Sequence, residues 1–326
     1  MGLATGRDLH IDRMLSNIAI NFRPTGMVAD MIAPIVTVEK ETDLYPVFLQ
    51  SEMFSLENAL RSRGAEARKI TRSVSSAGYN AKNYALARDL YIEDIANMDA
   101  AIQMEMGIGA THHITDMLSL GWEKRVIDTV TSSTNVSSIF LPNSAWNAPV
   151  AANQGDPMSQ VMQVKEQIQS TTGYSPNGIM IGWRAWAYMR RNINMRNLIY
   201  GTNNGRGFVT RQQVQDLFEV ERFNVQASFF NVGNEAQVSS FQSPFHDKVL
   251  VYYAPQAPSR ETPSFMYTFR WQAPGLPQPF VVERHPYDSR RKVETIEAGY
   301  YQDEVVTGKA FGALISGVGS GQANGI

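Results

Sequence analysis

An α+β fold is what this sequence predicts, on three observations. Residues 100–131 place apolar side chains at helical spacing with no intervening proline. Residues 157–271 alternate helix signals with short strand signals. Residues 279–300 read as two long strands about an Asp288-Ser289 turn. The first quarter of the chain fits neither pattern. It is rich in apolar side chains, yet their order gives no helical or alternating face.

That quarter comes first in the chain. Residues 16–48, SNIAINFRPTGMVADMIAPIVTVEKETDLYPVF, contain Pro24, Pro34 and Pro46. Each lacks an N–H donor and turns the preceding residue away from helix. The apolar runs between them, Met31–Ile32 and Ile35–Val36, are far shorter than a globular helix. The expectation is an extended arm, residues 1–50, that gains order only against a sister molecule. Phe22, Met27, Ile32, Ile35 and Val36 are its candidate anchors. Residues 51–85 follow as a polar loop. Within it Arg61, Arg63, Arg68, Lys69 and Arg72 stand against Glu57 and Glu66, a local net charge of +3. The flanks 52–55 and 70–73 are able to pair as a long hairpin. A projecting hairpin with so little apolar content cannot offset the backbone entropy of ordering, about 1–2 kcal/mol per residue.

In the helix over 100–131, Ile102, Met106, Ala110, Ile114, Met117, Leu118 and Gly121 form the expected apolar stripe. Gly107 and Gly109 suggest a bend near its start. Residues 131–155, rich in Ser, Thr, Asn and Pro, read as a linker or surface loop. Asp156-Pro157 then announces a helix to about Thr172, with Val161, Val164 and Ile168 on its inner side. Strand 178–181, helix 183–191, and a helix capped by Thr210 and ending near Phe218 come next. Strands are expected at 220–230, 248–253 and 264–271, and the Gly/Ser/Asn-rich tail 317–326 is expected to fray.

Composition narrows the function classes. The 326 residues suffice for one large or two modest cores, with 43% hydrophobic and 18% charged residues. A net charge of −2 argues against a dedicated nucleic-acid binder. With no cysteine there is no disulfide, thiolate or cysteine–zinc chemistry. No apolar run has the length of a membrane span or a signal peptide.

No catalytic constellation emerges, so the expected protein is not an enzyme and holds no cofactor or metal. His112 and His113 precede Asp116, but adjacent helix residues diverge and no third ligand is near. His246–Asp247 and Glu283–His285 are pairs of the same weak kind. The glycine-rich stretch 201–207 lacks the Gly-Lys-Ser/Thr ending of a phosphate-binding loop, so a flexible loop is the reading there. No G-x-S-x-G occurs. Asp89, Glu93, Asp94 and Asp99, with Glu105, give 88–105 a charge of −4 after Arg88 is counted. The plain reading is a solvated face. The alternative is that the basic hairpin of one molecule lies over this acidic segment of its neighbour. Aromatics Trp183, Trp186 and Tyr188, with Met189, read as core.

These segments in this order resemble a known family. "NIAINFRPTGMVADMIAPIVTVEKETDLYPVF", a basic Arg-Gly segment, "YNAKNYALARDLYIEDIANMD" and "WEKRVIDTV" are similar to the major capsid protein of tailed bacteriophages, the Hong Kong 97-type fold also used by encapsulin shells. "SPNGIMIGWRAWAYMRRN", "TRQQVQDLFEVERFNVQASFFN", "KVLVYYAPQAPSRETPSFMYTFRW" and "RRKVETIEAGYYQDEVVTGKAFGALIS" extend the likeness over most of residues 16–316. The resemblance implies an N-terminal arm and an extended β-hairpin loop, then a peripheral domain with a long spine helix (86–140 and 279–303). An axial α/β domain (141–278) and a C-terminal strand with a flexible tail (304–326) complete it. Gly201, Arg206 and Gly207 would then face the centre of a capsomer.

The function so implied is an icosahedral head shell around packaged double-stranded DNA. It would be assembled in the host cytoplasm from pentamers and hexamers of this chain and would end in the virion. Partners implied are a separate scaffolding protein, a portal, decoration or cement proteins, and non-specific contact with DNA, with no membrane. The scaffolding expectation rests on the chain starting close to the arm motif, unless a precursor segment is missing from this sequence. Some relatives cross-link a loop lysine to an asparagine. Lys69 is the one lysine of the hairpin, but nothing identifies the carboxylate the reaction needs. Two rivals stand beside the capsid reading: an encapsulin-like compartment and an oligomeric α/β enzyme with an exchange arm. Shell contents separate the first rival, and a small monodisperse oligomer would favour the second.

Overall fold

The computed structural model describes residues 15, 27–47, 60, 61, 63, 64, 66, 69, 75–96, 100–149, 154–201, 207–231, 241–273 and 280–319. Two sheets share one long helix. The elements of the first half are α1 (Ala29–Ile32), β1 (Ile35–Val38), β2 (Thr42–Val47), β3 (Ser75–Asn80), β4 (Lys82–Tyr91), α2 (Ile92–Ala96) and α3 (Ala100–Thr131). After β5 (Ile139–Phe140) come α4 (Pro157–Thr172), β6 (Gly178–Gly182), α5 (Trp183–Arg191), α6 (Ile193–Tyr200) and α7 (Arg211–Phe218). The chain continues through β7 (Arg222–Gln226), β8 (Phe230–Asn231), β9 (Phe241–Gln242), β10 (Val249–Tyr252) and β11 (Met266–Trp271). It finishes with β12 (Phe280–Asp288), β13 (Val293–Val306) and β14 (Gly312–Ile315). Helices and strands are thus mixed in the α+β manner the sequence predicts.

The first sheet is built on β13, fourteen residues long. It pairs antiparallel with β4 from Val293↔Tyr91 to Gln302↔Lys82 and with β12 from Phe280↔Tyr300 to Asp288↔Val293. Its far end pairs with β11, Met266↔Val306 to Trp271↔Tyr301. The expected two-strand element is the β12–β13 hairpin, with Lys292 at φ +53 in its turn. The second sheet runs β5-β14-β10-β6-β7. All five residues of β6 and all four of β10 and β14 are buried, as befits strands covered on both faces.

Alternation divides those strands between two cores. Ile179, Ile181, Val249 and Val251 join Val161, Val164 and Ile168 of α4 with Trp186 and Met189 of α5. Met180, Leu250, Tyr252 and Leu314 face the other way, onto Val126, Ile127 and Val130 of α3. Two glycines make the packing possible. A Cβ on Gly178 would stand 2.5 Å from the Tyr252 ring, and one on Gly182 would stand 2.0 Å from the Phe245 carbonyl oxygen.

The helix signals hold in detail. Asp156 accepts a hydrogen bond from Met158 N at 3.1 Å, Pro157 opens α4, and Gly173 closes it at φ +74. Thr210 and Gln213 form a capping box on α7. Helix α6 was not anticipated. Its signal is the buried Asn192, whose Oδ1 accepts from Asn194 N at 2.9 Å while its amide donates to Trp146 O and Gly155 O. The strand expected at 220–230 is shorter, because Gln226 turns its side-chain amide onto Ser228 and the chain leaves the ladder there.

The stripe on α3 differs from the expected one. Ala110, Thr111, Ile114, Thr115 and Leu118 are buried first, then Glu123, Val126, Ile127 and Val130, while Met117 is half-exposed. At ~100° per residue the buried face rotates by roughly 120° along the helix. The first set packs on Ile296, Ala298 and Tyr300 of the first sheet, the second set on the second sheet. One straight stripe cannot serve two sheets of different orientation.

The expectation that the arm lacks a surface of its own is corrected. Val28, Ala29, Ile32 and Ala33 are buried against Val126, Ile127 and Val130 of the same chain. β1 adds a parallel strand to β11, Ile35↔Thr268 to Val38↔Trp271, and Thr268 also donates its hydroxyl to Ala33 O at 3.1 Å. Leu15 sits with Leu90, Ala110, Ile114 and Leu118. Ile32 and Val36, taken as anchors on a sister molecule, are core residues of their own subunit; Met27 and Ile35 are half-buried and Phe22 lies outside the described residues. Runs too short to form a core suffice to finish one. Ile32→Ala should therefore lower the stability of the unassembled subunit by about 2–5 kcal/mol, read from its denaturant midpoint. An unchanged midpoint would place Ile32 outside the subunit core.

Candidate assembly surfaces

The surfaces singled out by the sequence are a hairpin, an acidic segment and a loop. Strands β2 and β3, on either side of residues 48–74, pair antiparallel from Thr42↔Asn80 to Val47↔Ser75. The expected pairing of 52–55 with 70–73 lies outside the described residues. What the structure describes is the hairpin's base, and it is latched. Tyr45 and Tyr79 pack on Phe269, at centroid distances of 5.4 and 4.7 Å. Arg260, from the loop before β11, donates to Asp43 Oδ2 at 3.1 Å and to Leu44 O, with its guanidinium 5.8 Å from the Tyr79 ring. Tyr79 donates to Lys40 O, and Asn80 N donates to Asp303 Oδ2 at 2.9 Å. The Leu44 amide and the Arg260 guanidinium hold the Asp43 carboxyl below its ordinary value.

Beyond this base Arg61, Arg63 and Lys69 are exposed, while Arg68 and Arg72 lie outside the described residues. Leu44 and Leu60 are exposed too, Leu60 at 90%. The hairpin thus presents apolar as well as basic groups.

The acidic segment is partly neutralised within its own chain. Asp89 accepts from Thr295 Oγ1 and from Arg291, each at 2.6 Å. Those two contacts, Thr295 before Arg291, lower its pKa. Glu93 lies 3.7 Å from Lys292. The Asp94 side chain and Asp99 lie outside the described residues. The basic run Arg290-Arg291-Lys292, plain in the sequence as text, was not connected to this segment because only the β4–β13 register brings them together. The neighbouring strand β4 pairs with β13 alone among the described strands. Leu86, Tyr91 and, on α3, Met117 are exposed.

The third surface is the loop after α6. Gly201 ends that helix at φ +76, and the chain re-emerges at Gly207, where a Cβ would stand 3.1 Å from the Tyr200 ring. The Tyr200 hydroxyl lies 3.0 Å from Phe208 O and 3.1 Å from Gln213 Oε1, closing the loop at its base. Arg206 lies outside the described residues. Leu198 and Phe208, unmarked by the sequence reading, are exposed beside this base, and Arg190 stacks over Phe208 at 5.5 Å.

The histidines do not converge. His113 is exposed, the His246 ring nitrogen lies 2.5 Å from Ser243 O, and His285 pairs with Glu297 at 2.9 Å. Among the described residues no group of three or more His, Asp or Glu is placed to hold a metal, and no helix is long and apolar enough to cross a membrane.

No family model matches the chain. Individual proteins do. It is 24% identical over 316 residues to a major capsid protein of Burkholderia phage BcepMu, covering 94% of this chain and 96% of that one. It is 24% identical over 267 residues to a major capsid protein of Pseudomonas phage JBD67, covering 80% and 83%. A crystal structure of a phage-related protein from Bordetella bronchiseptica RB50 superposes with a TM-score of 0.73 at 19% identity, over 96% of this chain and 98% of that one. The capsid structure of cyanophage P-SCSP1u gives 0.55 at 12% identity, over 90% and 89%.

This chain is a homologue of phage major capsid proteins, with the Hong Kong 97-type fold. An encapsulin from Synechococcus elongatus PCC 7942 also superposes, with a TM-score of 0.50 at 11% identity, over 100% of this chain and 99% of that one. The fold is common to both kinds of shell; the relatives by sequence are on the phage side.

The latch ties β2 to the loop before β11 and to the aromatic cluster on Phe269. Arg260→Ala should raise amide exchange at residues 44–47 by about tenfold, the loss of a charge-assisted hydrogen bond. Because the Asp43 pKa is lowered in the fold, protection there should persist above about pH 4. It should fall only as the pH drops through that lowered value. Exchange that ignores both the substitution and acid would remove Arg260 from the latch.

Proposed function

We propose that this chain is the building block of a phage head, a structural protein whose copies close into an icosahedral shell around double-stranded DNA. The observation that carries the reading is the match to two phage major capsid proteins, nearly end to end for one and across four-fifths or more of each chain for the other. It is joined by a geometry that commits a rigid base to a projecting hairpin. The site of action is the virion. The chain's main partner is itself, through heterologous contacts that close into rings. Scaffolding protein, portal, cement proteins and non-specific contact with packaged DNA belong to the same proposal. A net charge of −2 suits a wall that encloses DNA without gripping it.

The sheet around β13 with α3 and β4 corresponds in this reading to the peripheral domain, and the five-stranded sheet with α4 to α7 to the axial domain. Their limits differ from those drawn on the sequence, since β11 joins the β13 sheet and β14 the other. The hairpin of one subunit lies over the β4 side of its neighbour. In this reading the counter-charges are the acidic residues of 89–105, of which Asp89 is shared with Arg291 and Glu93 with Lys292. The loop around Gly201, Arg206 and Gly207, with Leu198 and Phe208 beside it, meets its copies at capsomer centres. Obligate contacts of this kind commonly bury more than about 2,000 Å².

Electron microscopy of the expressed protein should find closed shells, and nuclease-protected DNA in particles from infected or induced cells would separate a phage head from a compartment filled with cargo protein. Reversal of Arg61, Arg63 and Arg68 to Glu together should abolish shells while circular dichroism of the subunit stays unchanged. Normal shells from that variant would refute the hairpin's role, and a small monodisperse oligomer in sedimentation would refute the shell.

A further inference from the structure

Helix α1 has no cap of its own. Val28 stands at its N-cap position and offers no side-chain hydrogen bond, so the first amides of the turn need an acceptor from elsewhere. That acceptor is Glu123, on α3. Its Oε2 accepts from Val28 N at 2.9 Å and from Ala29 N at 2.8 Å, and its Oε1 accepts from Ser228 Oγ at 3.2 Å. Glu123 is completely buried. Ser228 in turn is held by Gln226, and Gln226 by Ser243. One carboxyl thereby joins the N-terminal segment, the long helix and the loop after β7.

We infer that Glu123 is a clasp that docks residues 27–33 on their own subunit, and that it makes this docking sensitive to pH. A neutral carboxyl suits the site as well as an ionised one. One oxygen is able to accept both amides while the hydroxyl donates to Ser228, whose own oxygen is an acceptor. The charges around it favour the neutral form. Asp30, on the docked turn, acts on it unfavourably. On the elements packed beside it, Arg222 of β7 reaches Met31 O and Pro255 O, Lys124 pairs with Asp128 and Arg125 with Glu304. None of these cations is directed at the carboxyl. Burial, and then Asp30, push the Glu123 pKa up, against the pull of its three hydrogen bonds. Released into water, the group would titrate at about 4.3. Docking is thus strongest where Glu123 is protonated and weakens as the pH rises through the value it holds in the fold.

The bearing on assembly rests on the shell reading, in which this turn leads directly into β1 and the hairpin base beyond it. The clasp itself is testable without a shell. Hydrogen exchange of the full-length unassembled chain, corrected for intrinsic rates, should show protection of residues 28–33 falling as the pH rises above the ordinary carboxylate range, through the raised value Glu123 holds in the fold. Glu123→Ala should raise exchange there about tenfold or more. Glu123→Gln, whose amide reproduces the neutral pattern of one acceptor and one donor, should keep the protection and lose the pH dependence. Unchanged exchange in Glu123→Ala overturns the clasp, and a wild-type pH slope in Glu123→Gln overturns its titration. If Glu123→Ala does not fold, Ser228→Ala replaces it: faster exchange at residues 28–33 supports the clasp, and unchanged exchange overturns it.

Discussion

One helix serving two sheets is the constraint from which the rest of this fold follows. Along the first half of α3, Ala110, Ile114 and Leu118 lie on the β13 sheet; along the second, Val126, Ile127 and Val130 lie on the β10 sheet. The sheets also meet directly, where Phe265 and Met266 join Leu250, Tyr252 and Leu314 in one core. Most polar groups brought in by the sharing find partners within the subunit. The hydroxyls of Thr111, Thr115, Thr129 and Thr131 bond back to carbonyls one turn earlier. Where the helix crosses between sheets, Tyr300 donates to Leu118 O and Arg125 spans Glu304 and the Tyr84 ring. Arg125 is only partly buried, but the Glu304 side chain is 6% exposed, so removing the arginine leaves a carboxylate in a poor dielectric.

The N-terminal segment completes this arrangement, and that changes the argument from which the function was first read. The sequence was taken to hold an arm with nowhere to pack except a sister molecule. Its short apolar runs, Val28–Ala29, Ile32–Ala33 and Val36, instead fill the angle between α3 and the β10 sheet and the free edge of β11. A segment without periodicity is therefore not a segment without a core. The case for an assembling protein does not depend on the arm. It rests on the hairpin, which has a firm base in Tyr45, Tyr79, Phe269 and Arg260 and a basic, thinly apolar reach beyond it, and on the relatives by sequence.

What the sequence made legible were the local signals. Asp156-Pro157, Thr210 and the Asp288 turn each act within a few residues, and each appears where its chemistry places it; Gly173 and Gln213 complete the capping of the two helices and were not singled out. The long helix and the short buried strands were legible for the same reason. What stayed hidden depends on pairs far apart in the chain. Met117 could not be separated from the buried stripe without the second sheet. Arg291 could not be set beside Asp89 without the β4–β13 register, and Glu123 read as one more charged residue on a helix until the amides of Val28 and Ala29 stood against it. The candidate contact residues were chosen by charge and apolarity, which mark a surface equally well whether it is turned outward or inward. Ile32 and Val36 were turned inward.

The same distinction bears on how such a chain diverges. The demands of this fold on residue type are general: small residues where strands crowd, as at Gly178 beside Tyr252, and apolar residues throughout β6 and β10. The surfaces that would join copies carry no such demand on residue type, only on complementarity between one face and another. A hairpin whose base is fixed by Arg260 and Asp43 is able to change its tip in step with the surface it meets without disturbing the core. Substitutions at such a tip would then leave the fold intact while changing which surface it fits.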